Sequence, residues 1–334
     1  MRNVYAKRSY HLITTDSLME DEVKHKTAYG LWILKNNSLK HLLWEIVVYI
    51  LKPIKTLYEY VRWQWILQHT GTSLIEKKIL GHYMFLAKTD EGISRELALY
   101  GIHEPVATQL LCHTLKPGMN VVDIGSNLGY YTLLECRHIG DNGKVVVIEP
   151  HPENFCILWK NVTRNQYQQK VIFYQAAVTT HSCTGRLYTS KKYNLHSLTS
   201  SMLNTENYIE VSTYTLDEIV EQIALPIHLI RMDIEGHEVE AIQGMHKTIK
   251  RDKPLLFIEL HPFIVGGDAI VGVLKQLQDF GYEVEWVVDR LRDQPWHSPM
   301  LLWESRTLTE LIEDRRILQE LSCLTVLFTI PKPS

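Results

Sequence analysis

The sequence predicts an α/β protein built on a mostly parallel, Rossmann-like sheet. Three observations carry that prediction. From Met119 onward, short apolar runs alternate with longer amphipathic runs, the pattern of strand–helix units that cover both faces of a parallel sheet. In Val121–Thr132, VVDIGSNLGYYT, an apolar run ends in Asp123, turns through Gly125 to Gly129 and enters a helical run at Tyr130. The next apolar run, Lys144–Ile148, ends in Glu149, and 149 − 125 = 24 residues separate that acid from Gly125. An acid about 20 residues past such a turn meets ribose hydroxyls in nucleotide-binding folds.

Each element follows in order. Residues 1–37 are polar with little periodicity, a loosely ordered start. Ser38 to Gln68 reads as helical, broken near Pro53, with Leu42, Leu43, Val47, Ile50 and Leu51 along one face. Gly81–Asp90 alternates as a strand or hairpin arm. Glu91–Tyr100 and Pro105–Leu115 read as helices, and Lys116-Pro117-Gly118 turns the chain into the strand Met119–Ile124. Helix Tyr130–Ile139, strand Lys144–Glu149, helix Pro152–Asn165 with Pro152 in its first turn, and strand Lys170–Val178 come next. A polar insertion, Thr179–Glu206, follows, with a hairpin pairing Gly185–Tyr188 against Tyr208–Ser212. Thr215 and Glu218 make a capping-box pattern for a helix ending at Ile223. Strand Ile227–Asp233, helix His237–Lys250, strand Leu255–Leu260, helix Ala269–Phe280 and strand Tyr282–Val288 continue the alternation. Arg290–Glu320 is irregular and then helical. Cys323–Ile330 is a last strand whose long connection lets it insert antiparallel.

A chain of 334 residues is long enough for a sizeable core, and 45% hydrophobic content is ordinary for a globular protein. The net charge of −3 gives no general attraction for nucleic acid, so no nucleic-acid partner is expected. Cys112, Cys136, Cys156, Cys183 and Cys323 are scattered without a C-x-x-C pair, which suits a reducing cytoplasm better than a disulfide framework or structural zinc. No signal peptide is visible. The apolar run Leu42–Leu51 is too short to span a bilayer and contains Glu45. Residues 38–68 interleave Trp44, Trp63 and Trp65 with Lys40, Lys52, Lys55 and Arg62, the composition of a helix lying on a membrane surface. Packing on the main domain, or pairing of two copies as a homodimer, is the favoured reading of the same stretch. Residues 1–80 are accordingly an N-terminal helical extension and 81–334 the main domain.

The turn discriminates between nucleotides. A dinucleotide fingerprint needs three glycines, G-x-G-x-x-G, so that backbone N–H groups approach a pyrophosphate. Here only Gly125 and Gly129 are present, and Asp123 would repel a diphosphate. It would favour a cation such as the ammonium or sulfonium of S-adenosylmethionine (SAM); a turn or helix-cap carboxylate is the plainer alternative. Acids or His close four of five strands: Asp123, Glu149, Asp233 with Glu235, and Glu259 with His261, the fifth ending at Ala176-Ala177. His261 is the first choice of general base, since imidazole titrates near neutrality, with a turn-ordering role beside Pro262 as the alternative. His196 in the insertion either reaches the substrate or is an ordinary loop residue. Asp233, Glu235, His237 and His261 hold potential metal ligands, but their spacing is no zinc signature and no metal is expected.

Six motifs in this order resemble the FkbM-type SAM-dependent methyltransferases: DIGSNLGYYT, VVVIEPHPENF (Val145–Phe155), NLHSL (Asn194–Leu198), TLDEI (Thr215–Ile219), MDIEGHE (Met232–Glu238) and IELHP (Ile258–Pro262). The resemblance runs from about Gly92 to Val288. It implies a class I methyltransferase fold, a seven-stranded sheet with an antiparallel last strand. It implies SAM contacts at Asp123, Gly125, Ser126, Asn127, Gly129, Tyr131 and Thr132, at Glu149, Pro150 and Asn154, and at Glu104, Ala177 and Asp233. Ser126 stands where the family more often has Ala. Catalysis is assigned to His261, Asp233 and Glu259, and acceptor contacts to His196, Ser197, Glu235 and His237. The implied reaction is in-line methyl transfer, most often to a hydroxyl of a sugar, a lipid-linked glycan or a natural product. Residues 179–206 and 290–320 are expected to cover that acceptor.

Overall fold

The computed structural model describes residues 10–13, 39–189, 196–198, 207–290, 293–295 and 301–331. We number the seven strands of the central sheet in chain order: β1 Asn120–Ile124, β2 Lys144–Ile148, β3 Val171–Tyr174, β4 Leu229–Met232, β5 Leu255–Leu260, β6 Glu283–Asp289 and β7 Leu324–Thr329. Across the sheet they lie in the order 3-2-1-4-5-7-6. β3, β2, β1, β4 and β5 pair in parallel, and β7 inserts antiparallel between β5 and β6. This is the class I methyltransferase topology. Among the described residues the sheet has nine strands rather than seven, because Leu301–Glu304 and Tyr10–Ile13 extend it beyond β6 as antiparallel edges. Both additions fall in stretches without strand periodicity.

The strands read as near-continuous apolar runs because both faces are covered. Alternate residues feed two cores. Val121, Val145, Val147, Leu229 and Phe257 pack under helices Ile93–Tyr100, Pro105–Thr114, Tyr130–His138 and Pro152–Arg164. Val122, Val146, Ile230, Leu256 and Ile258 pack under helices Leu216–Ile223, Glu238–Gln243, His246–Asp252 and Gly267–Asp279 on the other face.

Several element boundaries move. The expected strand 170–178 divides into β3 and Ala177–Val178, which joins a separate three-stranded sheet with Cys183–Tyr188 and Tyr208–Tyr214. In that sheet Tyr188 faces Tyr208 and Gly185 faces Val211, as the hairpin pattern suggested. The helix from Thr215 carries its capping box, with Thr215 Oγ1 accepting from the Glu218 N–H at 3.1 Å. The expected helix 237–250 is two helices, meeting at Gly244 and Met245.

The N-terminal helix runs Leu39–His69 without a break at Pro53. Proline removes one N–H donor there, and the helix absorbs the loss. Trp63 is buried, and Ile66 and Leu67 pack on the same core. Glu59 takes a hydrogen bond from the Tyr100 hydroxyl and pairs with Lys55 at 3.1 Å. The opposite face leaves Ile50, Ile54, Leu57, Val61 and Trp65 exposed. No described helix is long and apolar enough to cross a membrane. Residues 74–79 are not part of a helical extension: Leu74–Ile79 pairs antiparallel with His82–Ala87 as a hairpin. The expected loose order of 1–37 lies outside the described residues except for Tyr10–Ile13, as do the greater part of the insertion after Thr189 and parts of 291–300.

Candidate active site

An open cleft of about 940 Å³ lies at the carboxyl ends of β1, β2, β4 and β5. It sits where the strand order reverses between β1 and β4, the place an open α/β sheet offers a ligand. Its floor is the glycine turn. Gly125 has φ 78°, and a Cβ there would stand 1.9 Å from the carbonyl oxygen of Asp233, so no side chain fits. The turn is tied to the end of β2: the N–H of Gly125 donates to the Ile148 carbonyl at 2.9 Å. Beyond it, the N–H groups of Asn127 and His151 donate to Glu149 at 2.9 and 2.8 Å. Burial pushes the Glu149 carboxyl up to about 7, although these two donors favour its charged form. Glu104, Asn127 and Glu235, all in the cleft wall, have φ of 43°, 51° and 49°. Left-handed backbone at these three non-glycine residues places some strain at this site.

A buried arginine, Arg231, and a half-buried one, Arg290, organise the acids on the other side. Arg231, on β4, donates to Asp123 Oδ1 at 3.0 Å and to Asp233 Oδ2 at 3.1 Å, with its guanidinium 4.0 Å from the Tyr131 ring centre. Arg290, just past β6, lies 2.8 Å from Glu104 and 3.6 Å from Glu259. Glu104 also accepts from the Tyr131 hydroxyl at 2.6 Å and pairs with His103 at 3.0 Å. Burial disfavours its charge, but Arg290 and His103 outweigh burial and hold Glu104 well below the usual carboxylate range. Burial likewise opposes the His103 charge, and Glu104 and Glu96 overcome it, raising His103 to about 10.

The third group surrounds His261. Its Nδ1 lies 2.8 Å from Glu238 Oε1, and its Nε2 faces Glu235 at 3.4 Å, Glu259 at 3.6 Å and Asp233 at 4.0 Å. Burial lowers the imidazole, but Glu238 and Glu235 dominate and raise it well above its ordinary value. Burial and the neighbouring acids push Glu235 up to about 8.

The family model of the methyltransferase FkbM domain matches residues 123–284. This stretch is an FkbM-type methyltransferase domain. The family is SAM-dependent. The cleft holds a buried acid, Glu149, at one end and a group of acids, Asp233, Glu235 and Glu259, at the other. No curated protein sequence matches significantly. Among solved structures, methyltransferase FkbM from Methylobacillus flagellatus KT is 14% identical over 78% of this chain and 60% of its own, with TM-score 0.39. This chain therefore spans less than two thirds of that protein. A putative rRNA-methylase from Clostridium thermocellum is 12% identical over 68% of this chain and 95% of its own, with TM-score 0.41. The M. jannaschii tRNA m1G37 methyltransferase is 12% identical over 79% of this chain and 56% of its own, with TM-score 0.41.

The FkbM-type domain brings most of the expected residues together. Gly125, Ser126, Asn127, Tyr131, Glu149, Pro150 and Asn154 line the cleft, with Glu104, Ala177, Asp233, Glu235 and Glu259. His196 and His237 line it as well. His196 stacks on His151 with ring centres 4.1 Å apart, and burial with that neighbour lowers it to about 3. His237 Nε2 lies 3.0 Å from Thr179 Oγ1.

Five expected residues stand outside the cleft wall. Asp123 is fully buried and already paired with Arg231 and with the Thr132 hydroxyl at 2.7 Å, so it is not presented to a cofactor cation. Thr132 is therefore a support for Asp123. Gly129, at φ 89°, begins the helix Tyr130–His138. Ser197 is buried and donates to the Glu235 carbonyl at 2.7 Å, which pins the insertion to the β4 end. His261 lies behind Glu235 and Glu259, and the Glu238 and Glu235 carboxyl groups raise its imidazole well above its ordinary value, which favours the protonated ring and disfavours the expected role as base. Sequence reasoning missed Arg231, Arg290 and His103. Arg231 had a signal, a lone charge inside the apolar run Leu229–Met232; Arg290 and His103 had none.

Proposed function

We propose that the protein methylates a hydroxyl oxygen on a sugar, a lipid-linked glycan or a natural product. The observation that carries this reading is the convergence of three carboxyl groups, Asp233, Glu235 and Glu259, on one wall of the cleft beside the glycine turn. SAM supplies an electrophilic methyl carbon, to which the acceptor oxygen bonds in line with the departing sulfur. Glu149 holds the ribose hydroxyls, and Gly125, Ser126 and Asn127 shape the turn beneath. Asp233, its second oxygen held by Arg231, faces the cationic end. The acceptor's proton passes to Asp233, which Arg231 and His261 hold in place. Holding the reactants in line supplies much of the rate.

The experiment is incubation with methyl-labelled SAM and cell extracts fractionated into glycans, lipids, small metabolites, protein and RNA. Label in an alkali-stable methyl ether of a glycan, lipid or metabolite is expected. Label confined to RNA or protein, or SAM binding without any transfer, overturns the reading; the last result would mark a cofactor-binding scaffold. A second reading, contact of the Leu39–His69 helix with a membrane surface, is favoured by the exposed face from Ile50 to Trp65.

A further inference from the structure

The amino-acid arm of SAM ends in an ammonium and a carboxylate. The carboxylate needs a partner in this cleft, because Glu104, Asp233, Glu235 and Glu259 already line it with acids. Ala177, Val178 and Leu187 make a buried apolar wall on the β3 side, suited to the adenine ring. With adenine there and the ribose hydroxyls at Glu149, the arm lies on the side of β1, β4 and β5.

The backbone of the glycine turn offers the carboxylate nothing. The N–H groups of Gly125 and Ser126 donate to the Ile148 carbonyl at 2.9 and 3.3 Å. Those of Asn127 and Leu128 donate to the side chains of Glu149 and Asn127 at 2.9 and 2.7 Å, and that of Gly129 to the Ser126 carbonyl at 2.9 Å. A turn that could have served as an anion nest is thus closed by the protein's own acceptors.

A side chain must therefore supply the charge. Among the described residues the cleft wall has no lysine, and its basic groups are Arg231, Arg290 and three histidines. Arg231 is 4% exposed, with Nη1 given to Asp123 and Nη2 to Asp233. His103 meets Glu96 with one ring nitrogen and Glu104 with the other. Burial lowers His196 to about 3 and lowers His237 as well, so both are uncharged near neutrality. Arg290 differs from all of these. It is half-buried; its Nε lies 2.8 Å from Glu104, and Nη1 makes one long hydrogen bond, 3.4 Å, to the Asp293 carbonyl. No described residue accepts a hydrogen bond from Nη2. Glu104, fixed by the Tyr131 hydroxyl at 2.6 Å, thus anchors one edge of the guanidinium. A guanidinium edge matches the two oxygens of a carboxylate.

We propose that Arg290 binds the carboxylate of the SAM amino-acid arm, with Glu104 holding the guanidinium in place. This deepens the methyltransferase reading and rests on its placement of the ribose at Glu149. Both residues lie outside the matched stretch 123–284, so the chain on either side of that stretch completes the cofactor site.

The test is calorimetric titration of the full chain with SAM, with decarboxylated SAM and with 5′-methylthioadenosine, which lacks the amino-acid arm. The wild type is expected to bind SAM at least about tenfold more tightly than decarboxylated SAM, the worth of hydrogen bonds to a charged group. Arg290→Gln should erase this preference, weakening SAM about tenfold or more and leaving the other two ligands unchanged. Unchanged SAM affinity overturns the assignment and is the result expected if the guanidinium serves an anionic acceptor. Equal weakening of all three ligands overturns it too, because that marks a structural role. Arg290→Lys keeps the charge and serves if thermal unfolding shows the Gln variant unfolded; it should weaken SAM alone, and the same outcomes overturn the assignment. A wild type that binds SAM and decarboxylated SAM equally overturns it without any variant. Glu149→Gln should weaken methylthioadenosine as well as SAM; if it spares methylthioadenosine, the ribose placement falls. A wild type that binds none of the three ligands removes the cofactor reading beneath both.

Discussion

At Glu149 two backbone donors meet a carboxylate that burial has pushed up to about 7. A ribose diol donates hydrogen bonds and needs the charged acceptor. SAM affinity is therefore expected to weaken by about tenfold per pH unit below 7, one proton per site. Glu149→Gln should bind SAM about 10- to 100-fold more weakly, the worth of hydrogen bonds to a charged group, and lose most of that pH dependence. Calorimetric titrations from pH 5.5 to 8.5 check both; a flat wild-type profile sinks the ribose role. The sign for stability is opposite. The folded carboxyl binds its proton more tightly than its ordinary value of 4.5, so its contribution to stability falls as pH rises from 4.5 through 7. The acid at position 149 was legible because it closes an apolar strand 24 residues past Gly125. The partner of Asp123 was not. Arg231 lies 108 residues away, and only the pairing of β1 with β4 brings it within 3.0 Å.

Among the elements, the Leu39–His69 helix is unusual in having two apolar faces. One carries Trp63 into the core, and the other exposes Ile50, Ile54, Leu57, Val61 and Trp65. A single exposed apolar residue needs no explanation, but a contiguous stripe of this length does. Lys52 and Arg62 accompany it, which adds attraction to anionic headgroups. The chain is expected to co-sediment with anionic liposomes, and Ile54→Glu with Leu57→Glu should abolish this while SAM affinity stays unchanged. Equal sedimentation of wild type and variant would remove the membrane reading. Periodicity made this helix visible. Pro53 suggested a break that did not occur, because one missing donor in a helix of 31 residues leaves the rest of the hydrogen-bond ladder in place. The helix 237–250 was read as continuous for the same local reason: its pattern does not show that Gly244 and Met245 join two shorter helices.

For the whole molecule, the alternation of strands and helices foretold a mostly parallel sheet with a late strand free to insert antiparallel, whereas the order 3-2-1-4-5-7-6 is set by strand neighbours far apart in the chain. The edge strands Leu301–Glu304 and Tyr10–Ile13 could not be expected, since an edge is specified by its neighbour more than by its own residues. At the centre of that sheet the buried pair Arg231–Asp123 closes a loop of 108 residues. Such a contact forms only after the intervening strands and helices have been gathered, so it belongs late in folding. Replacing Arg231 by Met strands Asp123 in the core and should cost about 3–5 kcal/mol. Nearly all of that loss should appear as faster unfolding, with the refolding rate almost unchanged, in stopped-flow denaturant jumps. A slowed refolding limb would instead place the pair in the folding nucleus. The arginine that arranges acids around the cleft would then set how long each molecule stays folded and hardly affect how quickly it becomes so.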